Sequence, residues 1–143
     1  MENNCSEEIK MKIGFTGTRE GMTDAQKECL SKGLAVGDHF HHGACIGADA
    51  EAHTIAKDLG LYIVVHLPLS DKKMIECIGD ECRIPTDYLT RDHNIVDETE
   101  ILYACPKGKK ELLRSGTWAT IRYAVKTKKI VMIFYPDGTV EAR

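Results

Sequence analysis

The stretch Lys12-Ile13-Gly14-Phe15-Thr16-Gly17-Thr18-Arg19-Glu20-Gly21-Met22-Thr23 decides the fold. Lys12–Phe15 reads as a short strand that breaks into a glycine-bearing loop over residues 16–21. A helix then opens at Thr23, with Gln26 three residues on in capping-box spacing. Strand, glycine loop and helix in that order are the first half of a βαβ unit. Glycines let backbone N–H groups approach an anion closely. A helix N-terminus adds unpaired donors and a partial positive charge.

The pattern recurs down the chain. The first helix carries Ala25, Cys29, Leu30 and Leu34 on its apolar side and is expected to end at Gly37. A weak strand near His39–His42 leads into the loop Gly43-Ala44-Cys45-Ile46-Gly47-Ala48-Asp49. The next helix repeats Ala48, Ala52, Ile55, Ala56 and Leu59 and stops at Gly60. Tyr62–Leu67, an apolar run broken only by His66, suits a strand covered on both faces. Residues 68–87 show no periodicity and read as a long loop, a flap over a site. A helix from about Tyr88 to Thr99, a strand Ile101–Cys105 and a basic loop Lys107–Arg114 follow. Ser115-Gly116-Thr117 opens the last helix, with Trp118, Ile121, Ala124 and Val125 inward. Ile130–Tyr135 is the fifth strand, Pro136-Asp137-Gly138 a turn, and the tail a short edge strand. Five mostly parallel strands alternating with four helices predict a Rossmann-like three-layer α/β/α sandwich. It is expected to occupy residues 11–143 as a single domain, behind a flexible lead-in of residues 1–10. Such sheets hold ligands outside the carboxyl ends of the strands, where the strand order reverses.

Bulk properties narrow the function. The 143 residues suit one domain, and 43% hydrophobic with 29% charged residues is ordinary globular composition. A net charge of -3 gives no global attraction to nucleic acid or acidic membranes, and 6% aromatics speak against a single-strand stacking platform. No apolar run approaches the roughly 20 residues of a membrane span. The polar N-terminus has no apolar signal core. A cytoplasmic protein with six reduced cysteines is expected. His39, His41, His42, Cys45, Cys77 and Cys82 match no zinc spacing, so neither a metal nor an organic cofactor is expected. Strand alternation puts His39 and His41 on one face and His42 on the other. His66 reads as a hydrogen-bonded core residue. Cys45, in a glycine-rich loop before a helix, is a conceivable nucleophile if its thiol pKa falls there.

Three loops at strand ends then form the expected phosphate cradle. They are Thr16, Gly17, Thr18 and Arg19; Gly43, Ala44, Cys45, Gly47, Ala48 and Asp49; and Arg114, Ser115, Gly116 and Thr117. Hydroxyls and guanidinium forks add to the backbone donors. Neither GxGxxG nor GxxxxGK[ST] is present, which speaks against a nicotinamide dehydrogenase or a P-loop NTPase.

The segments IGFTGTREGMT, HHGACIGADAEAH, YLTRDHNIVDETE and ELLRSGTWATIRYA resemble the SLOG superfamily, from Lys12 to about Tyr135. This is a Rossmann-like group containing the LOG (lysine decarboxylase-like) proteins, the DNA-processing protein DprA/Smf and ligand-sensing SLOG domains. The resemblance is nearest to small stand-alone members of phages and bacteria. It implies a nucleotide-derived ligand: a nucleoside phosphate, a cyclic nucleotide or an ADP-ribose-like signal. The holder would be a sensor, or a sponge that sequesters the signal, an anti-defence role useful to a phage. It also implies a homo-oligomer. An alternative is N-glycosidic hydrolysis of nucleoside monophosphates, and a more distant one is single-stranded DNA binding. The LOG-type hydrolases carry PGGxGTxxE; here Gly116 and Thr117 match the GT pair, and Thr120 stands where the acid belongs. Arg91 takes the place of the family's arginine near the ligand. The missing acid favours a binder. A hydrolase would need Asp49 or Asp92 as its carboxylate, with Glu51 behind them. Asp49 equally suits a first-turn helix acid, and Arg91, Asp92 and Asn94 equally suit a solvated face.

Overall fold

The computed structural model describes residues 9–69 and 78–143. Its elements run β1 (Lys12–Gly17), α1 (Asp24–Gly33), β2 (His39–His42), α2 (Ala48–Asp58), β3 (Tyr62–Pro68), β4 (Glu81–Thr86), α3 (Tyr88–Asp97), β5 (Ile101–Cys105), α4 (Gly116–Lys126), β6 (Ile130–Phe134) and β7 (Val140–Ala142). The seven strands form one sheet in the order β4-β3-β2-β1-β5-β6-β7. All neighbours are parallel except β7, which runs antiparallel to β6. The chain therefore winds outward from β1 in one direction as far as β4, then returns to β1's other side at β5. The order reverses between β1 and β5.

Alternation along the strands builds two cores, one on each face of the sheet. Ile13, Phe15, Tyr103 and Cys105 join one cluster with Leu30 of α1 and Ala48, Ala52 and Ala56 of α2. Leu102, Ala104, Val131 and Ile133 join the other with Trp118, Ile121 and Ala124 of α4 and Val96 of α3. Ala48, Ala52 and Ala56 are fully buried. Their small size lets the helix backbone lie close to the sheet, so larger residues there would overpack it.

The capping box is present at α1: the Thr23 hydroxyl accepts from Gln26 N, and the Gln26 side chain accepts from Thr23 N. Gln26 does more. Its Nε2 donates to the carbonyls of Pro106 (2.8 Å) and Phe134 (2.9 Å), so α1 is tied to the chain leaving β5 and β6.

The expected sandwich is observed, with seven strands rather than five. β7 is the edge strand expected of the tail. β4 lies inside the segment read as an aperiodic flap. Its sequence ECRIPT is mostly exposed on both faces, so no apolar alternation marks it. Pro85 is tolerated because the strand is at the sheet edge. Residues 70–77 of that segment, and residues 1–8 of the N-terminal lead-in, lie outside the described residues. Helix α1 ends at Gly33 instead of Gly37, with Leu34 already extended. Gly37, at φ +101, serves the turn before β2. Helix α3 stops at Asp97, two residues short of Thr99. Among the described residues, Cys29, Cys45, Cys82 and Cys105 are free thiols, and no helix is long and apolar enough to cross a membrane.

Candidate functional site

A cleft of about 420 Å³ opens at the carboxyl ends of β1 and β5, where the strand order reverses. Its walls come from the loops after β1, β2 and β5 and from the starts of α3 and α4.

The loop after β1 is fixed by its own backbone. Thr18 N donates to the Cys105 carbonyl (3.0 Å), and the Thr18 carbonyl accepts from Ala48 N (2.9 Å). The Thr18 hydroxyl accepts from Glu20 N (3.1 Å). Thr18 thus stitches β1, β5 and α2 together at the bottom of the cleft. Gly47 makes this approach possible. Its φ is +81, and a Cβ there would stand 2.3 Å from the Arg19 carbonyl oxygen.

The loop after β2 is held from below. Asp49 Oδ2 accepts from Gly43 N (3.1 Å) and Cys45 N (3.2 Å). Burial raises the Asp49 carboxyl to about 6, against the pull of those two N–H groups and Arg91. His42 precedes this loop and is fully buried. Its Nδ1 accepts from Ala44 N (3.0 Å), so its Nε2 carries the proton and donates to His53 Nδ1 (2.9 Å). Burial keeps that imidazole neutral, lowering its pKa to about 3.

Arg91 caps the same loop from α3. It is 5% exposed. Nη1 donates to the Gly43 carbonyl, Nη2 lies 3.5 Å from Cys45 Sγ, and Nε donates to Asp92 Oδ1 at 2.9 Å. The Tyr88 ring, one helical turn earlier, has the guanidinium carbons of both Arg91 and Arg19 at 5.3 Å from its centroid. Burial raises the Asp92 carboxyl, opposed by Arg91 and by the Thr120 hydroxyl. The Thr120 hydroxyl is also 2.8 Å from the Gly116 carbonyl, and its single proton serves one partner at a time.

Helix α4 points its N-terminus at the cleft. Ser115 is the N-cap and accepts from Trp118 N (3.2 Å). Gly116 and Thr117 come before the first intrahelical bond, so their N–H groups are not used by the helix ladder. At the rim, Lys107 Nζ is 3.1 Å from Glu20 Oε2, an exposed pair that contributes little to stability.

Of the residues singled out in the sequence, Thr16, Gly17, Thr18, Arg19, Gly43, Cys45, Asp49, Arg91, Asp92, Arg114, Ser115, Gly116 and Thr117 line the cleft. Ala44, Gly47 and Ala48 do not. Ala44 and Ala48 are fully buried, and Gly47 packs on the Arg19 backbone. These three shape the loop from behind. Glu51 also lies elsewhere and accepts from Met22 N at 2.6 Å. The solvated-face reading of Arg91 is corrected, since that side chain is buried and held by Gly43, Cys45 and Asp92. Cys45 gains no nucleophilic character: burial, with Asp49 adding to it, pushes its thiol up. Tyr88 and Trp118 of the lining were not anticipated as site residues. For Tyr88 the available signal is an aromatic residue three positions before Arg91, on the same helix face.

No protein-family model matches the chain, and no curated protein matches it in sequence. Solved structures do match. A molybdenum cofactor binding protein from Rippkaea orientalis aligns with a TM-score of 0.70 at 21% identity, covering 88% of this chain and 77% of that one. The molybdenum cofactor carrier protein of Chlamydomonas reinhardtii aligns with a TM-score of 0.64 at 25% identity, covering 87% and 76%. A second structure of the Chlamydomonas carrier gives 0.59 at 28% identity. The chain has a SLOG-like fold. Within this SLOG-like fold Gly116 and Thr117 open α4 at the cleft, and Thr120 faces Asp92 one turn further on.

Proposed function

We propose that the protein binds a phosphate-bearing, nucleotide-derived small molecule in the cleft between β1 and β5, and holds it without turnover, as a sensor or a sequestering sponge. The observation that carries this reading is the convergence on one cleft of the α4 N-terminus, the exposed guanidiniums of Arg19 and Arg114, and the loop clamped by Arg91. The helix dipole and the Gly116 and Thr117 N–H groups outside the helix ladder favour an anion there. Tyr88 lines the same cleft and keeps the two arginines together over its ring. The solved neighbours named as a binding protein and a carrier of molybdenum cofactor support retention of a small molecule rather than its conversion. The test is incubation with a panel of nucleoside monophosphates, cyclic nucleotides, ADP-ribose derivatives and molybdenum cofactor. The protein is then washed and denatured, and the released compounds are identified by mass spectrometry. Recovery of an intact panel member is expected; recovery of none overturns the reading.

A second reading, N-glycosidic hydrolysis, is favoured by one observation. Asp92 brings a half-buried carboxyl of raised pKa to the cleft beside Thr120, the position where the LOG-type acid is missing. Free base and ribose phosphate in the supernatant would establish it. Asp49 is the poorer candidate, since its Oδ2 is occupied by Gly43 N and Cys45 N. A cytoplasmic homo-oligomer remains part of the proposal, and light scattering on the purified protein tests the assembly.

A further inference from the structure

A second polar cluster lies away from this cleft. His41 of β2 pairs in register with Val64 of β3, which puts His66, two residues on, on the same face as His41. His41 Nδ1 and His66 Nε2 are 2.8 Å apart. The two rings are 2% and 1% exposed. Glu98, at the end of α3, completes a set of three ligand-type atoms that all lie within 4.8 Å of one another. Arg83 of β4 orients this carboxylate, donating from Nε to Glu98 Oε1 (2.8 Å), and meets a second carboxylate, Glu81, through Nη1 (2.7 Å). His41 and Glu98 face an open cleft of about 440 Å³, which gives an ion and its water ligands a way in.

From this geometry we infer that His41, His66 and Glu98 form a binding site for a divalent transition-metal ion of the zinc class, separate from the small-molecule cleft. Imidazole nitrogens with one carboxylate are the donor set such ions prefer, and three protein ligands leave a coordination position for water. The buried hydrogen bonding points the same way. With two neutral rings facing each other, one nitrogen donates and the other accepts, while His66 Nδ1 has no hydrogen-bond partner among the described residues. If His66 Nε2 holds the proton, its Nδ1 is an unused lone pair. Moving that proton across the ring to Nδ1 frees Nε2, so both facing nitrogens present lone pairs to a cation with no net proton release. Metal–nitrogen bonds of about 2.0–2.1 Å at a tetrahedral angle would set the two nitrogens about 3.3 Å apart. Opening the present gap to that value needs a shift of roughly half an ångström. Arg83 acts as the outer partner that holds a ligating carboxylate in place. Spacing along the chain does not mark this site and leads to the expectation of no metal, because its ligands come from two strands and a helix end.

The test is titration of the metal-free protein with Co²⁺, followed by visible absorption, and competition of Zn²⁺ against a chromophoric chelator. One Co²⁺ per chain is expected, with visible bands of nitrogen and oxygen ligation and no thiolate charge-transfer band. His41→Gln should abolish the bands. Glu98→Gln, a substitution at a partly exposed helix end, should weaken Zn²⁺ binding at least tenfold while the far-ultraviolet circular dichroism stays unchanged. Absence of Co²⁺ bands, a strong thiolate band, or full affinity in Glu98→Gln would each overturn the proposal.

Discussion

Arg91 and Gly43 occupy one another's space. Arg91 Nη1 donates to the Gly43 carbonyl, and a Cβ added at Gly43 would stand 2.6 Å from the same nitrogen. The glycine exists here because a guanidinium lies flat against its backbone. Gly43→Ala should therefore push Arg91 off the loop. Leaving a buried charged donor without its acceptor costs more than the roughly 1–3 kcal/mol of a neutral group. The measurements are urea unfolding and ligand affinity, with at least a tenfold loss in the latter. Unchanged binding in a folded variant would show that the clamp is not part of the binding surface.

Asp49 supplies a pH dependence. Its carboxyl titrates near 6 when folded and near 3.8 in the reference state, so the folded protein holds the extra proton between those values. Stability contributed by that proton is present at low pH and is lost as pH rises through the window, by up to about 3 kcal/mol. Asp49→Asn keeps an oxygen acceptor for Gly43 N and Cys45 N and removes the ionisation. Its stability relative to wild type should thus improve on going from about pH 4.5 to about pH 7.5. Parallel profiles for the two proteins would contradict the buried, raised carboxyl.

Gly116 separates binding from folding. A Cβ there meets nothing within 4 Å among the described residues, yet the residue lines the cleft at the first position of α4. Gly116→Ala should leave stability equal or raise it by up to about 1 kcal/mol. Affinity for the panel ligand should fall about tenfold, because the methyl group occupies the place where an anion meets the helix end. Equal affinity by calorimetry would move the anion elsewhere.

Asp92 distinguishes the two functional readings. For a binder it is a negative charge beside an anion site, so Asp92→Asn should tighten binding several-fold, most at low salt. For a hydrolase the same change should remove product formation. Binding calorimetry and chromatography of the supernatant read the two outcomes side by side.

Much of this was legible in the chain. The glycine loops after β1 and β2 and the Ser115 cap follow from local chemistry, and the buried alanines of α2 announce themselves by spacing. β4 was not legible because an exposed edge strand has no buried face to impose alternation. The buried state of Arg91 was hidden for another reason. It depends on a partner 48 residues away, the Gly43 carbonyl, and local pattern around Arg91 looks like a polar helix surface. Ala44, Gly47 and Ala48 share a glycine-rich loop with true lining residues, and only the direction of the backbone tells them apart.

The Gln26 amide has a consequence for synthesis. Its two acceptors are 80 and 108 residues downstream, and β1 meets β5 on one side only after residue 105 has been made. A ribosome-bound chain that has released only α1, β2 and α2 carries a buried-type amide with no acceptor and a central strand with one bare edge. Contacts of such sequence separation slow folding, and bare edges invite association. The first half of this chain is thus committed to waiting for its last strands before it can close.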